Sequence, residues 1–214
     1  MISSHDIEIN MLFFDHDIKE KLGNIATVRS GLVLARKQAR SSSGILYPLL
    51  NLRSINSGGY IDMNQTDKFE ATEHLDLEYL SQIGDVIVRM TMPYTAVCID
   101  KNTAGMVISS NFVIIRPDNS KLLPEYLYWL LNTPRVKHII YQNASRNMLG
   151  AIHAGFFSEF EIPLLSISNQ QKIATMNHLA IKEAKLLRQL ANEKEKYYTY
   201  CFSTLTYKSK ETNK

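Results

Sequence analysis

The C-terminal segment is the part of the chain that most constrains how it can fold. Residues 167–202 contain neither glycine nor proline, whereas both occur repeatedly in the sequence before them. Apolar residues recur there at helical spacing, and charged residues fill most of the positions between them; the apolar stripe is Ile173, Met176, Ala180, Ala184, Leu187 and Leu190. A helix over residues 170–200 would be roughly 45 Å long.

A long helix with an apolar stripe needs a surface to pack against, because an isolated helix is marginally stable in water. We favour a second helix in a coiled coil as the partner surface, and the alternative is a helix folded back on its own domain. Ser168 and Gln171 have the spacing of a capping box, which predicts the start of the helix. The sequence therefore divides into a domain of residues 1–166, a helix of residues 167–202 and a flexible tail of residues 203–214.

Short apolar runs between turn signals predict β-structure in the first 166 residues. The predicted strands are 25–28, 45–52, 86–88, 95–99, 105–108 and 111–116. We expect strands 95–99 and 105–108 to pair as a hairpin across Asp100. Pro124 and Thr133-Pro134 each have the form of a helix start. Few helices separate the strands, so the prediction is an α+β domain with a curved, mostly antiparallel sheet and flanking helices.

The charged residues are segregated along the chain, although the net charge is only +3. Residues 21–61 contain six basic residues and no acidic residue, whereas residues 62–85 contain seven acidic residues and one lysine. A second stretch without acidic residues covers residues 126–158. This pattern predicts a positive and a negative face, as in a protein that binds a polyanion; the alternative is a set of solvated charges on a neutral domain.

The sequence contains no signature of a catalytic site. It has no Pro-Pro pair of the kind found in amino-methyltransferase motifs, no glycine-rich nucleotide loop and no nucleophile elbow. The histidines and the two cysteines, Cys98 and Cys201, do not have metal-ligand spacing. No apolar run approaches the roughly 20 residues that span a bilayer. We therefore expect a non-catalytic, metal-free cytoplasmic protein that does not contact a membrane.

Several short motifs occur in an order that resembles one family. They are Leu22-Gly23-Asn24-Ile25 followed by Ser30-Gly31, Tyr60-Ile61-Asp62, Gly84-Asp85-Val86-Ile87-Val88, Ser109-Ser110-Asn111-Phe112, Pro124-Glu125-Tyr126-Leu127 and Ile162-Pro163-Leu164. In this order they resemble the target recognition domain of the specificity (S) subunit of type I restriction–modification systems. Full-length subunits of that family have two such domains, separated by two long helices that form an antiparallel coiled coil.

The resemblance implies that this chain is one half of such a subunit. Its partner helix would come from a second copy, in a homodimer that reads an inverted-repeat site in double-stranded DNA. The resemblance also implies a methyltransferase subunit that uses S-adenosylmethionine, with a restriction subunit in the full enzyme, and no cofactor in this chain. The alternatives are an adaptor that binds only protein and a DNA-modifying enzyme with an unrecognised site.

Basic and amide side chains near apparent loops are the candidate DNA-binding residues, because arginine suits guanine and asparagine suits adenine. They are Arg36, Lys37, Arg40, Arg53, Arg89, Asn143, Arg146 and Asn147. The candidate residues for the contact between helices are Ile173, Met176, Ala180, Leu187 and Leu190.

Overall fold

The computed structural model describes residues 18–39, 44–146 and 150–211, with residues 205–211 as backbone only. The strands in this part of the chain are β1 Lys19–Lys21, β2 Ala26–Ser30, β3 Ile45–Leu50, β4 Asp67–Ala71, β5 Val86–Arg89, β6 Ala96–Cys98, β7 Val107–Ile108, β8 Phe112–Pro117 and β9 Glu161–Pro163. The helices are α1 Leu22–Ile25, α2 Pro124–Asn132, α3 Pro134–Ala144, α4 Ala154–Glu159 and α5 Ile167–Glu211. Two compact units result, Met1–Gln171 and Lys172–Lys214.

The strands form three sheets in which nearly all neighbours are antiparallel. One sheet has the order β2-β8-β5-β6, a second has the order β4-β3-β7, and β1 pairs with β9. Among these pairings only that of β3 with β7 is parallel. The α+β class, the mostly antiparallel strands and the long C-terminal helix are confirmed by this architecture.

The predicted hairpin between residues 95–99 and 105–108 is wrong. Strand β6 pairs with β5, with Cys98 opposite Val86, whereas β7 pairs with β3 in the other sheet. The Asp100 carboxylate accepts hydrogen bonds from the amides of Asn102 and Thr103, which closes a turn that leads the chain away from β6. Val107 is fully buried, although β7 is the last strand of its sheet, so the core and not a partner from β6 covers this run.

The centre of the first unit is the antiparallel pair β5 and β8, which is buried on both faces. Residues 86–88 and 112–115 are inaccessible to solvent. Their side chains divide between the two faces of the sheet, as the alternation of a strand requires. On one face Ile87 and Ile114 join a cluster with Leu50 and Ile108. Strand β3 and strand β7 are thereby packed against the four-stranded sheet.

A buried ion pair lies at the entrance to β5. Gly84 has φ of +87°, a conformation that favours glycine, and it places the Asp85 side chain in the interior. The Asp85 carboxylate accepts two hydrogen bonds from the Arg116 guanidinium, at 2.7 and 2.9 Å, and one from the Gln82 amide at 2.8 Å. The pair joins β5 to β8 and fixes the turn before β5.

The ends of the helices agree in part with the sequence-based expectations. The Thr133 hydroxyl caps α3, as predicted, by accepting from the Val136 amide. The predicted capping box at Ser168 is wrong: α5 begins at Ile167, and the Ser166 hydroxyl accepts from the Asn169 amide at 3.4 Å. Ser168 therefore lies within the first turn. Helix α5 continues to Glu211, through most of the stretch that was expected to form a tail.

We expect Asp85→Ala to lower the free energy of unfolding by about 3 kcal/mol, because it leaves a partly buried guanidinium and a backbone amide without their acceptor. Urea denaturation measures the change from the shift in midpoint at constant slope. Glu73→Ala removes an exposed carboxylate and should change the midpoint little. Equal midpoints for the two variants would contradict a stabilising role for the buried pair.

Candidate nucleic-acid interface

The basic and acidic stretches of the sequence are brought together by the fold. Arg29 binds Glu78, Lys37 binds Glu73 and Arg53 binds Asp67, each pair joining the basic stretch to the acidic one. The register of β3 with β4 places part of the acidic stretch along the basic one. The expected separation into a positive and a negative face is therefore wrong for these residues, because most of the charge is compensated locally.

The predicted DNA-binding residues near position 36 lie at one end of β3. Arg36 is exposed in a short helical turn over Leu34–Arg36, and Lys37 is half-exposed in its ion pair with Glu73. The Ala39 amide donates to the Glu70 carbonyl, which places this segment beside the start of β3. Arg40 lies outside the described residues.

The predicted residues Arg53 and Arg89 lie at the other end of β3. Arg53 follows the strand and binds Asp67, which is opposite Leu49 in the register of β3 with β4. The Arg89 Nη1 atom donates to the Leu52 carbonyl at 3.3 Å. A six-residue strand spans about 20 Å, so the length of β3 separates these two arginines from Arg36 and Lys37.

Arg89 differs from the other partly buried arginines because its charge is not compensated. Its Nε atom is buried without a hydrogen-bond partner, and within the described residues no carboxylate pairs with it. Burial lowers the pKa of Arg89 from its ordinary value, whereas the hydrogen bond to Asp85 raises the pKa of Arg116. A desolvated cation without a counter-charge costs free energy, and this cost favours an anionic ligand.

Hydrogen bonds bring the loop after β5 next to the segment that follows α3. The Tyr94 hydroxyl donates to the Gly150 carbonyl at 2.9 Å, and the Ile152 amide donates to the Met90 carbonyl at 2.9 Å. Together with the bond from Arg89 to Leu52, these contacts unite three chain segments in one surface, which we term the loop surface: residues 52–53, 89–94 and 150–152. It is the candidate nucleic-acid interface.

The predicted residues around α3 occupy different surroundings. Asn143 donates to the Ile139 carbonyl one turn earlier and lines a groove with Glu159 and Glu161. Carboxylates in that groove repel a phosphate, so the surroundings of Asn143 disfavour a contact with the DNA backbone. Arg146 is exposed after the end of α3. Asn147 lies outside the described residues.

Two side chains on α3 were missed by the sequence analysis. Lys137 is half-buried, and Tyr141 is half-exposed one turn later on the same side of the helix. Burial lowers the pKa of Lys137, and no ion pair with a described residue offsets the loss of solvation. The available signal was the absence of acidic residues from positions 126–158, which contain both side chains.

The second unit presents its apolar side chains to solvent. Met176 is 71% exposed, Leu187 60% and Leu190 53%, while Ala180 is also exposed and Ile173 is half-exposed. Leu179 and Leu186, which the sequence-based list omitted, line a shallow groove with Leu187 and Leu190. An apolar surface of this extent on one helix is typical of an interaction surface.

Two features of the described residues concern nucleophilic and metal chemistry. Burial raises the pKa of the Cys98 thiol to about 12, so the thiolate is scarce at neutral pH. No group of three or more His, Cys, Asp or Glu side chains in the described part of the chain is placed to hold a metal ion. None of the described helices has the length and hydropathy of a transmembrane segment.

The fold is similar to those of several solved structures. No protein-family model and no curated protein matches the chain. The HsdS subunit from Thermoanaerobacter tengcongensis matches with a TM-score of 0.63 and 18% identity, over 84% of this chain and 45% of that one. A chain from a study of complex assembly and conformational transition in the type I R-M system matches with a TM-score of 0.66 and 17% identity, over 86% and 47%. This chain has the HsdS fold.

A third HsdS-fold structure extends the comparison to a more distant sequence. The type I restriction–modification S subunit from M. genitalium matches with a TM-score of 0.50 and 10% identity, over 80% of this chain and 41% of that one. The chain thus spans less than half the length of each of these three relatives. The family resemblance inferred from the order of the motifs is confirmed in the fold.

We expect Arg89→Met to leave the free energy of unfolding unchanged within about 0.5 kcal/mol, or to raise it, because the substitution removes an uncompensated charge. Arg29→Met is the matched control and should lower the urea midpoint, because it breaks the pair with Glu78. A loss of stability in Arg89→Met as large as that in the control would show that Arg89 holds the fold together rather than serving a ligand.

Proposed function

We propose that this chain is the DNA-recognition subunit of a type I restriction–modification enzyme and that it carries out no chemistry itself. The observation that carries the proposal is the HsdS fold, which covers 84% of this chain but only 45% of the Thermoanaerobacter subunit. A chain of this extent supplies one recognition domain and one long helix. Methylation of adenine with S-adenosylmethionine, and cleavage of DNA, would belong to separate methyltransferase and restriction subunits.

The loop surface would provide the contacts to DNA. Phosphate contacts position a protein on the duplex, and contacts to base edges specify the sequence. Burial removes water from the Arg89 guanidinium. In the complex, a phosphate or a guanine edge would offer hydrogen-bond acceptors in place of that water. Arg53 is held by Asp67 and would exchange that exposed carboxylate for a DNA acceptor. Arg36 would contact DNA from the opposite end of β3.

The exposed stripe of α5 supports pairing between two copies of the chain. Ile173, Ala180 and Leu187 recur every seven residues, and Met176 and Leu190 each follow one of them by three residues, which is the spacing of a coiled-coil seam. Two copies related by a two-fold axis would bury both stripes and would place the recognition domains at the two ends of the pair. The homodimer would then read an inverted repeat with a non-specific spacer.

The same exposed helix also favours a second candidate function, an adaptor that binds only protein. Tyr197, Tyr198 and Phe202 extend the exposed surface beyond the leucines. Such an adaptor predicts no salt-sensitive affinity for duplex DNA, whereas the recognition subunit requires it.

Selection from randomised duplexes with the purified full chain tests the recognition function and the dimer together. We expect the retained duplexes to contain an inverted repeat with a fixed gap. Leu187→Asp places a charge in the helix seam and should give a monomer in analytical ultracentrifugation that retains at most a single half-site. Gln189→Asp adds the same charge on the other side of α5 and should behave like the wild type.

Retention without sequence enrichment by the wild-type dimer would contradict the recognition function. A wild-type chain that is monomeric, or a Leu187→Asp variant that still selects the inverted repeat, would contradict the homodimer. Absence of any salt-sensitive duplex affinity would favour the adaptor instead.

A further inference from the structure

The two flanks of α3 differ in charge. On one flank, Ile139 and Asn143 line the groove that contains Glu159 and Glu161. On the other flank lie Lys137 and Tyr141, which are four residues apart and therefore adjacent on the helix surface. Helix α3 itself contains no acidic residue, because positions 126–158 have none, so the carboxylates of the groove come from the end of α4 and the segment after it.

The environment of Lys137 is unusual for a lysine. Its side chain is half-buried, and its ammonium group makes no hydrogen bond or ion pair with any residue that the structure describes. By contrast, Lys21, Lys37 and Lys121 each lie near a carboxylate. Burial without a counter-charge is unfavourable for a cation, and a bound anion would offset that cost.

The flank with Lys137 lies near Tyr94 of the loop surface. The phenol of Tyr141 lies close enough to that of Tyr94 to contribute to the raised pKa of Tyr94, after the larger effect of burial. The Tyr94 hydroxyl in turn donates to the Gly150 carbonyl. Met92, in the same loop, is 62% exposed, and Tyr141 itself is 49% exposed. Arg89 precedes the loop, so two uncompensated cations flank it.

We propose that Lys137 and Tyr141 form a binding site for the phosphate backbone of DNA, beside the loop surface. The Lys137 ammonium pairs with one phosphate, and the Tyr141 hydroxyl donates to the same phosphate or the next one. A compact ammonium on a helix suits a phosphate, which needs charge and position, better than a base edge, which needs a matched pattern of donors. The site rests on the proposed function and adds contacts that position the duplex without reading its sequence.

The test measures how the affinity of the full chain for a labelled duplex of random sequence depends on salt. Each lost phosphate contact lowers the slope of log affinity against log salt by about 0.9. We expect Lys137→Gln to lower the slope by about 0.9, and Lys137→Arg to restore it because the charge is kept. Lys101→Gln, in the turn that follows β6, is the matched control and should leave the slope unchanged. Circular dichroism and urea midpoints check that each variant is folded.

Each outcome decides the proposal. A slope that falls in Lys137→Gln alone and recovers in Lys137→Arg supports the phosphate site. An unchanged slope in Lys137→Gln, or an equal fall in Lys101→Gln, overturns it while leaving the recognition function standing. A wild-type chain without any salt-sensitive affinity overturns the recognition function, and the phosphate site falls with it.

Discussion

The paired strands β5 and β8, buried on both faces, are the constraint on which the rest of the first unit depends. Strand β8 pairs with β2 on one side and β5 on the other, and β5 also pairs with β6. The ion pair between Asp85 and Arg116 fixes where β5 begins, and Arg89 marks where it ends. The loop that follows is thereby held at one end of the sheet, where it meets the segment after α3.

Local compensation of charge decides which basic residues are available to a ligand. Carboxylates from the acidic stretch bind Arg29, Lys37 and Arg53. The number of basic residues in the sequence is therefore a poor measure of the positive charge that a ligand would meet. Arg89 and Lys137 are partly buried without a carboxylate partner among the described residues, and burial lowers the pKa of both. A partly buried cation without a carboxylate is stronger evidence of a binding site than an exposed one in an ion pair.

Much of the fold could be predicted from the sequence because its strongest signals are local. The glycine- and proline-free stretch predicts α5, Pro134 with Thr133 predicts the start of α3, and the β-branched run at Val86 predicts β5. The pairing of β6 and β7 could not be predicted, because partner choice depends on burial between sheets rather than on adjacency in the chain. Strand β4 was missed because charged residues alternate with Phe69 and Ala71, which hides a strand with one buried face.

The candidate site was less predictable than the fold because charge compensation depends on contacts distant in sequence. Arg53 and Asp67 are fourteen positions apart, and only the pairing of β3 with β4 brings them together. Lys137 gave no local signal beyond a stretch without acids. The order of the motifs was informative because each motif marks a turn or a strand start that the fold requires, such as Gly84 before β5.

The most direct test of the proposed function is methyl transfer by the complex that the chain is proposed to form. The tagged chain would be isolated from its own cells, and the methyltransferase that accompanies it would be assayed with labelled S-adenosylmethionine and duplex DNA. The account predicts that the complex methylates adenine at one bipartite sequence, that the chain alone transfers no methyl group, and that the methyltransferase without the chain loses this site. Methyl transfer by the chain alone, or an unchanged pattern of methylation after its removal, would contradict the account.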